Sequence, residues 1–169
     1  MCSGRRSGQA RQPKVTMNQA ALEYWTAFLD TQPQIRKDTP YQVWYFGNTP
    51  EMAFELAQLV TAGKKIATAS LMAVNQMRPD TAPIPDGYSV VTDFHGAPMC
   101  VIQTSEIGYL PFNRVDARFA FDEGEGDQSL EYWRSVHQRY YAQEAAELGL
   151  DFDEQSLVCC ERFKLLYSR

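Results

Sequence analysis

The sequence predicts an α+β domain in which helices flank an antiparallel sheet curled towards a barrel. Three observations point there. Apolar residues recur at helical spacing near both ends of the chain. Short β-prone runs cluster between those ends with no regular βαβ alternation, and turn residues join the central runs as a hairpin without a crossover helix. The chain has 169 residues, enough for one domain with a sizeable core and short for two.

Met1–Thr16 reads as a disordered basic leader or a mis-assigned start. It carries Arg5, Arg6, Arg11 and Lys14 among Gly, Ser, Gln and Pro, and it lacks the apolar centre of a secretory signal. The domain proper is expected over 17–169. Ala21, Leu22, Trp25, Phe28 and Leu29 recur at helical spacing and predict a helix over 18–31. Gln42–Phe46 is a short aromatic strand that ends in the turn Gly47-Asn48-Thr49-Pro50. Thr49 before Pro50, with Glu51 in the first turn, starts a second helix, and Gly63 fits its C′ position.

Lys64–Met72 is β-prone and runs towards a surface loop marked by Pro79, Pro83 and Pro85. Ser89–Asp93 and Met99–Gly108 read as strands joined at His95-Gly96. Val115–Phe121 reads as a short helix or as irregular chain. A long helix is expected over 128–148, with Leu130, Trp133, His137, Tyr140, Tyr141 and Leu148 on one face, and Leu157–Tyr167 is a last strand.

Charge narrows the functional classes. The chain carries 16 basic and 21 acidic residues, for −5 overall. Without the four basic residues of the leader the balance is 12 against 21, or −9. A body that acidic is poorly suited to gripping a long duplex through counterion release, so a nucleic-acid partner would be small or short. No run of about 18 apolar residues is present, and no membrane span is expected. Cys2, Cys100, Cys159 and Cys160 form neither a disulfide framework nor a zinc-type spacing, so reduced thiols and a cytoplasmic setting are the simplest expectation.

Two segments carry the chemistry. Gly63-Lys64-Lys65-Ile66-Ala67-Thr68-Ala69-Ser70 places two lysines and two hydroxyls where a helix gives way to a strand. A lysine beside a hydroxyl is one way to activate Ser or Thr, and a helix C-terminus with ordinary strand residues is the plainer reading. Glu123-Gly124-Glu125-Gly126-Asp127 crowds three carboxylates and two glycines into five residues. Those acids repel one another unless a cation such as Lys64, Lys65, Arg118 or Arg134 stands nearby. Asp127 is expected to cap the following helix, and a glutamate of this segment paired with a lysine can orient the amine or protonate a leaving group. Ser129, Trp133, Arg134 and His137 are the candidate pocket residues of that helix; a satisfied core histidine at 137 and a surface ion pair at Arg134 are the plainer readings. On a regular strand Lys64, Ile66, Thr68 and Ser70 share one face, so Lys65 shares a side with Thr68 only if it precedes the strand or sits at a bulge, and otherwise Lys64 is the partner.

Trp44-Tyr45-Phe46-Gly47, the run Ala53–Ser70, Glu123–Arg134 with His137, Tyr140 and Tyr141, and Val158-Cys159-Cys160-Glu161-Arg162-Phe163 together resemble the ASCH-domain family in its longer bacterial subgroup. The resemblance runs from about Tyr41 to Tyr167. It implies a PUA-like β-barrel flanked by helices and a pocket for a nucleoside or short single-stranded RNA. The activities it implies are hydrolysis of acylated cytidine amides such as N4-acetylcytidine, or cleavage of single-stranded RNA by a ribonuclease. A non-catalytic RNA-binding module is the third expectation. The Lys-x-x-Thr pair and later Glu of the amidohydrolase members fall on Lys65, Thr68 and Glu125, or failing that Glu123, with Thr68 as nucleophile, Lys65 as base and the glutamate orienting the lysine or assisting the leaving amine. Neither a metal nor another cofactor is implied.

Overall fold

In a computed structural model, residues 18–169 are described; the expected leader lies outside the described residues. Helix α1 spans Gln19–Asp30 because Asn18 caps it, its side chain accepting from the amides of Ala20 and Ala21. Strand β1 is Tyr41–Trp44. Helix α2 spans Pro50–Thr61, with Thr49 as N-cap and Pro50 in the first turn, as the sequence predicts. Strand β2 is shorter than expected, Ala67–Leu71. It runs straight into a short helix α3, Met72–Met77, which β-propensity conceals.

Strands β3 (Tyr88–Thr92) and β4 (Pro98–Pro111) form the predicted hairpin. The Asp93 carboxylate accepts from the amides of His95 and Ala97 and so holds its turn. Helix α4 is Ala117–Glu123, helix α5 is Leu130–Glu147 and strand β5 is Leu157–Ser168.

The strands form one sheet in the order β1-β3-β4-β5-β2. Every pairing is antiparallel except β1 with β3, so the sheet is mixed. The curl expected of a barrel stops short of closure, because β1 and β2 stand at opposite edges of that order. Aromatics of α1 pack on Val90 and Val101. Ala57 and Val60 of α2 pack on Val91, Ile102 and Phe163. On the other side, α4 and α5 bring Phe119, Trp133 and Tyr141 against Ala67, Leu71, Val158 and Cys160. Cys100, Cys159 and Cys160 are buried free thiols.

This arrangement fixes residues 64–66 from three directions. The Lys64 and Lys65 amides both donate to the Leu59 carbonyl at the end of α2, at 2.9 and 3.0 Å. Ile66 N–H donates to the Asp122 carbonyl of α4 at 2.9 Å, and Phe163 N–H of β5 donates to the Ile66 carbonyl at 3.0 Å. Arg162 of β5 binds the Asp122 carboxylate at 3.0 Å and pins α4 to the sheet, while Arg118, within α4, binds the same carboxylate at 3.1 Å. Lys65 therefore lies before β2, where strand alternation does not govern its direction.

Gly124 makes the close approach possible. Its φ is +71°, and a Cβ there would lie 2.4 Å from the Lys64 carbonyl oxygen. The substitution Gly124→Ala is expected to cost about 1–3 kcal/mol of stability in urea unfolding, the order of a strained backbone forced at a packed site. Gly149 has the same left-handed φ (+70°) with nothing near its absent Cβ, so Gly149→Ala should cost clearly less. Equal losses would contradict the packing argument.

Candidate active site

Lys65 is 1% exposed, and so is Glu123. A charge buried that deeply persists only with close partners. The Lys65 Nζ donates to Glu123 Oε2 at 2.7 Å, to Glu125 Oε1 at 2.6 Å and, more weakly, to the Glu123 carbonyl at 3.4 Å. All three ammonium protons are thereby directed. The carbonyl contact places the cation at the C-terminus of α4, the end that favours positive charge. The ring of Phe46 lies beneath, 5.3 Å from Nζ.

Glu123 is held on its other side as well. Trp133 Nε1 donates to Glu123 Oε1 at 2.9 Å, and His137 Nε2 stands 3.6 Å from the same oxygen. The His137 ring stacks on Trp133 with centroids 4.2 Å apart. Its Nδ1 meets the Trp133 carbonyl at 2.9 Å, and because a carbonyl only accepts, Nδ1 carries the proton.

The titration of the pair follows from these contacts. Burial pulls the Lys65 pKa down, but the charges and hydrogen bonds of Glu123 and Glu125 outweigh it, and the net shift is upward. For Glu123 burial pushes upward, yet Lys65, His137 and the hydrogen bonds from Lys65 and Trp133 bring the carboxyl below its ordinary value. Both directions describe an ammonium facing a carboxylate. Glu125 differs from Glu123 in being 16% exposed. It sits between Gly124 and Gly126, both with positive φ, so one of the lysine's two carboxylate partners rides on a short glycine-flanked turn.

The structure thus joins Lys65 with both Glu123 and Glu125, and adds Trp133 and His137. Lys64 is exposed, with its carbonyl against Gly124. Thr68 and Ser70 face away from the α4–α5 layer, since Ala67 and Leu71 on alternate positions belong to it. The hydrogen bonds of Lys65 Nζ go to Glu123 and Glu125 and none reaches Thr68. The Ser70 hydroxyl accepts from Asn75 at 2.8 Å.

Three expectations are corrected. Glu123 is the last residue of α4 and not part of a loop. The cap of α5 is Ser129, whose hydroxyl accepts from Tyr132 N–H at 3.0 Å, because the helix begins at Leu130. Asp127 instead closes the preceding turn by accepting from Ser129 N–H at 2.9 Å. Arg134 turns to the carbonyls of Asn113 and Val115, at 3.1 and 3.4 Å, and so braces α5 against the end of β4.

Two residues in this neighbourhood escape motif reading. Glu161 is 6% exposed and Thr104 3%, and the Thr104 hydroxyl donates to Glu161 Oε1 at 2.6 Å. The available signal was a lone acid in the alternation Cys159, Glu161, Phe163 of a strand that otherwise reads as apolar on that face. Among the described residues no group of three or more His, Cys, Asp or Glu side chains is placed to hold a metal ion, and no helix is long and apolar enough to cross a membrane.

A family model described as the ASCH domain matches residues 42–167. The structure of an ASCH domain from Lactobacillus crispatus JV V101 is similar with a TM-score of 0.81 and 28% identity, covering 90% of this chain and 97% of that one. A crystallised protein of Enterococcus faecalis V583 is similar with a TM-score of 0.78 and 31% identity over 88% of this chain and 89% of that one. Among curated proteins none matches the chain.

Removing Lys65 leaves Glu123 buried without its cation, so Lys65→Met should cost about 3–5 kcal/mol in chemical unfolding. The double variant Lys65→Met/Glu123→Gln should recover part of that loss; no recovery would contradict the pairing. The pH dependence has two signs. The lowered Glu123 pKa contributes stability that is full above the unfolded value of about 4.3 and is lost as pH falls through the folded value. The raised Lys65 pKa contributes stability that is full below about 10.4 and is lost as pH rises through the folded value. Glu123→Gln should flatten the acid limb of a pH–stability profile; an unchanged acid limb would count against the lowered carboxyl.

Proposed function

The chain belongs to the ASCH-domain family, whose PUA-like fold is often linked to RNA binding, and on that premise we propose that it is a metal-independent hydrolase of acylated cytidine-type amides. The observation that carries this reading is the ammonium of Lys65, buried at 1% exposure and held between a fixed carboxylate and a partly exposed one. A structural ion pair needs one counter-ion. A second carboxylate on a glycine-flanked turn gives the cluster net negative charge and hence the capacity to take up a proton.

In the proposed step Thr68 attacks the acyl carbonyl of the substrate. Lys65 passes one of its protons to Glu125 as it receives the proton of the Thr68 hydroxyl, which reconciles a basic role with its raised pKa. The developing oxyanion lies in the field of the same ammonium. Glu125, now protonated, returns the proton to the amine nitrogen as the C–N bond breaks. Water then hydrolyses the acyl-threonine ester, releasing the acid. Glu123, Trp133 and His137 position Lys65 and need not touch substrate. The −9 balance of the chain after its first 16 residues agrees with a nucleoside or short single-stranded RNA better than with a long duplex.

The test is purified protein with N4-acetylcytidine and, separately, unmodified single-stranded RNA. Wild type should release cytidine, and Lys65→Ala, Thr68→Ala and Glu125→Ala should each reduce kcat by roughly 10²–10⁴-fold, the range of a lost proton-transfer group. A fully active Thr68→Ala would remove the nucleophile from this scheme. Cleavage of RNA without deacylation would make the protein a ribonuclease, and saturable binding with neither activity would make it a binding module.

A further inference from the structure

Glu161 lies on β5 in register with Thr68 of β2. Directly opposed residues of an antiparallel pair present their side chains to the same face, with Cβ atoms about 4.5–5.5 Å apart. That is the face bearing Phe163, and Phe46, which packs with Phe163, lies under the Lys65 ammonium. One oxygen of Glu161 is committed: Oε1 accepts from the Thr104 hydroxyl at 2.6 Å. The other, Oε2, has no hydrogen-bond partner among the described residues. It is also not one of the sealed, unpaired polar atoms, which are Asn113 Oδ1 and Tyr141 OH.

We infer that Glu161 is a specificity-determining residue of the proposed site, donating through Oε2 to a bare ring nitrogen of the substrate base and so selecting cytosine-type over uracil-type rings. The assignment rests on the hydrolase reading for its orientation, because attack by Thr68 brings the ring carbon bearing the amide beside Thr68, and the adjoining ring nitrogen beside Glu161. In a cytosine-type ring that nitrogen is an acceptor. In a uracil-type ring it carries hydrogen, and two donors would face each other.

The donor form has a structural basis. Lys65 directs its protons to Glu123 and Glu125 and forms no ion pair with Glu161. Burial accordingly raises the Glu161 pKa, against the smaller opposing pull of the Thr104 hydroxyl and the Lys65 charge. The groups facing it are Thr68 from β2, Thr104 from β4, Lys65 from the segment before β2, and Cys159 along β5, whose thiol burial pushes up to about 11. Glu123 and Glu125 lie beyond Lys65. Lys65 is the one cation among these groups, and its hydrogen bonds go to Glu123 and Glu125.

The experiment is calorimetric titration of the full chain with cytidine and with uridine across a pH series, for wild type, Glu161→Gln and Glu161→Ala, with deacylation of N4-acetylcytidine measured in parallel. Wild type should favour cytidine by on the order of tenfold, one hydrogen bond's worth. The preference should decline as pH rises through the Glu161 pKa, since the donated proton is present below that value and absent above it. Glu161→Gln, which supplies an N–H in place of the O–H and nearly the same shape, should keep the preference and lose its pH dependence; Glu161→Ala should lose it. Preference retained in Glu161→Ala, equal affinities in wild type, or no binding of either nucleoside would overturn the inference. Glu161-dependent selectivity without deacylation would contradict the hydrolase reading while supporting this one, and deacylation with unselective binding would do the reverse.

Discussion

The burial of one ammonium group constrains most of the architecture described here. An unpaired lysine in the interior would lose its proton or unfold its surroundings. Lys65 keeps its charge because the end of α4 delivers a carboxylate and a carbonyl to it, and the turn that follows delivers a second carboxylate. Every element around the cluster serves that delivery. Leu59 at the end of α2 receives the amides of residues 64 and 65, Asp122 receives the amide of Ile66, and Arg162 ties Asp122 back to β5. Trp133 on α5 then fixes the far oxygen of Glu123, with the His137 ring stacked on Trp133.

The result is a site with a deeply buried carboxylate and a partly exposed one. Glu123 ends a helix whose residues Phe119 and Ala120 are in the core, and its oxygens are bound by Lys65 on one side and by Trp133 on the other. Glu125 stands on a turn that glycines at 124 and 126 allow. Gly126 leaves room for the Tyr132 ring, which a Cβ would meet at 2.3 Å. Under the proposed function, a proton exchanged at Glu125 leaves the buried Lys65–Glu123 pair in place. On the sheet, Thr68 stands in register with Glu161 and Thr104 donates to it, so three strands contribute to one polar cluster.

Much of the fold was legible because its signals are local. Thr49-Pro50 and Gly63 bracket α2, and the Asp93–Ala97 turn joins the central hairpin, through backbone requirements that one or two residues announce. The parallel pairing of β1 with β3 and the placement of β2 beside β5 were not legible, since they depend on contacts between residues far apart in sequence. Chemistry called for a cation beside the acidic segment and left Lys64, Lys65, Arg118 and Arg134 open, and only the resemblance pointed to Lys65. Which acid would meet the lysine was undetermined until α4 proved to extend through Glu123, letting both reach it. The cap at Ser129 in place of Asp127 turned on a two-residue shift of the helix start, the scale at which boundaries are least readable. Glu161 carried a signal, an acid on an inward strand position, but its meaning depends on Thr68 and Thr104 arriving from other strands.

The central claim is that Lys65 is a cation held by two carboxylates, and the nitrogen resonance of its Nζ reports on that directly. In selectively labelled protein followed by nuclear magnetic resonance, the account predicts that this nitrogen stays protonated beyond the pH at which ordinary lysines titrate, and that Glu125→Gln brings its titration down while the protein remains folded. A Lys65 Nζ that is neutral near pH 7, or one indifferent to Glu125→Gln, would contradict it.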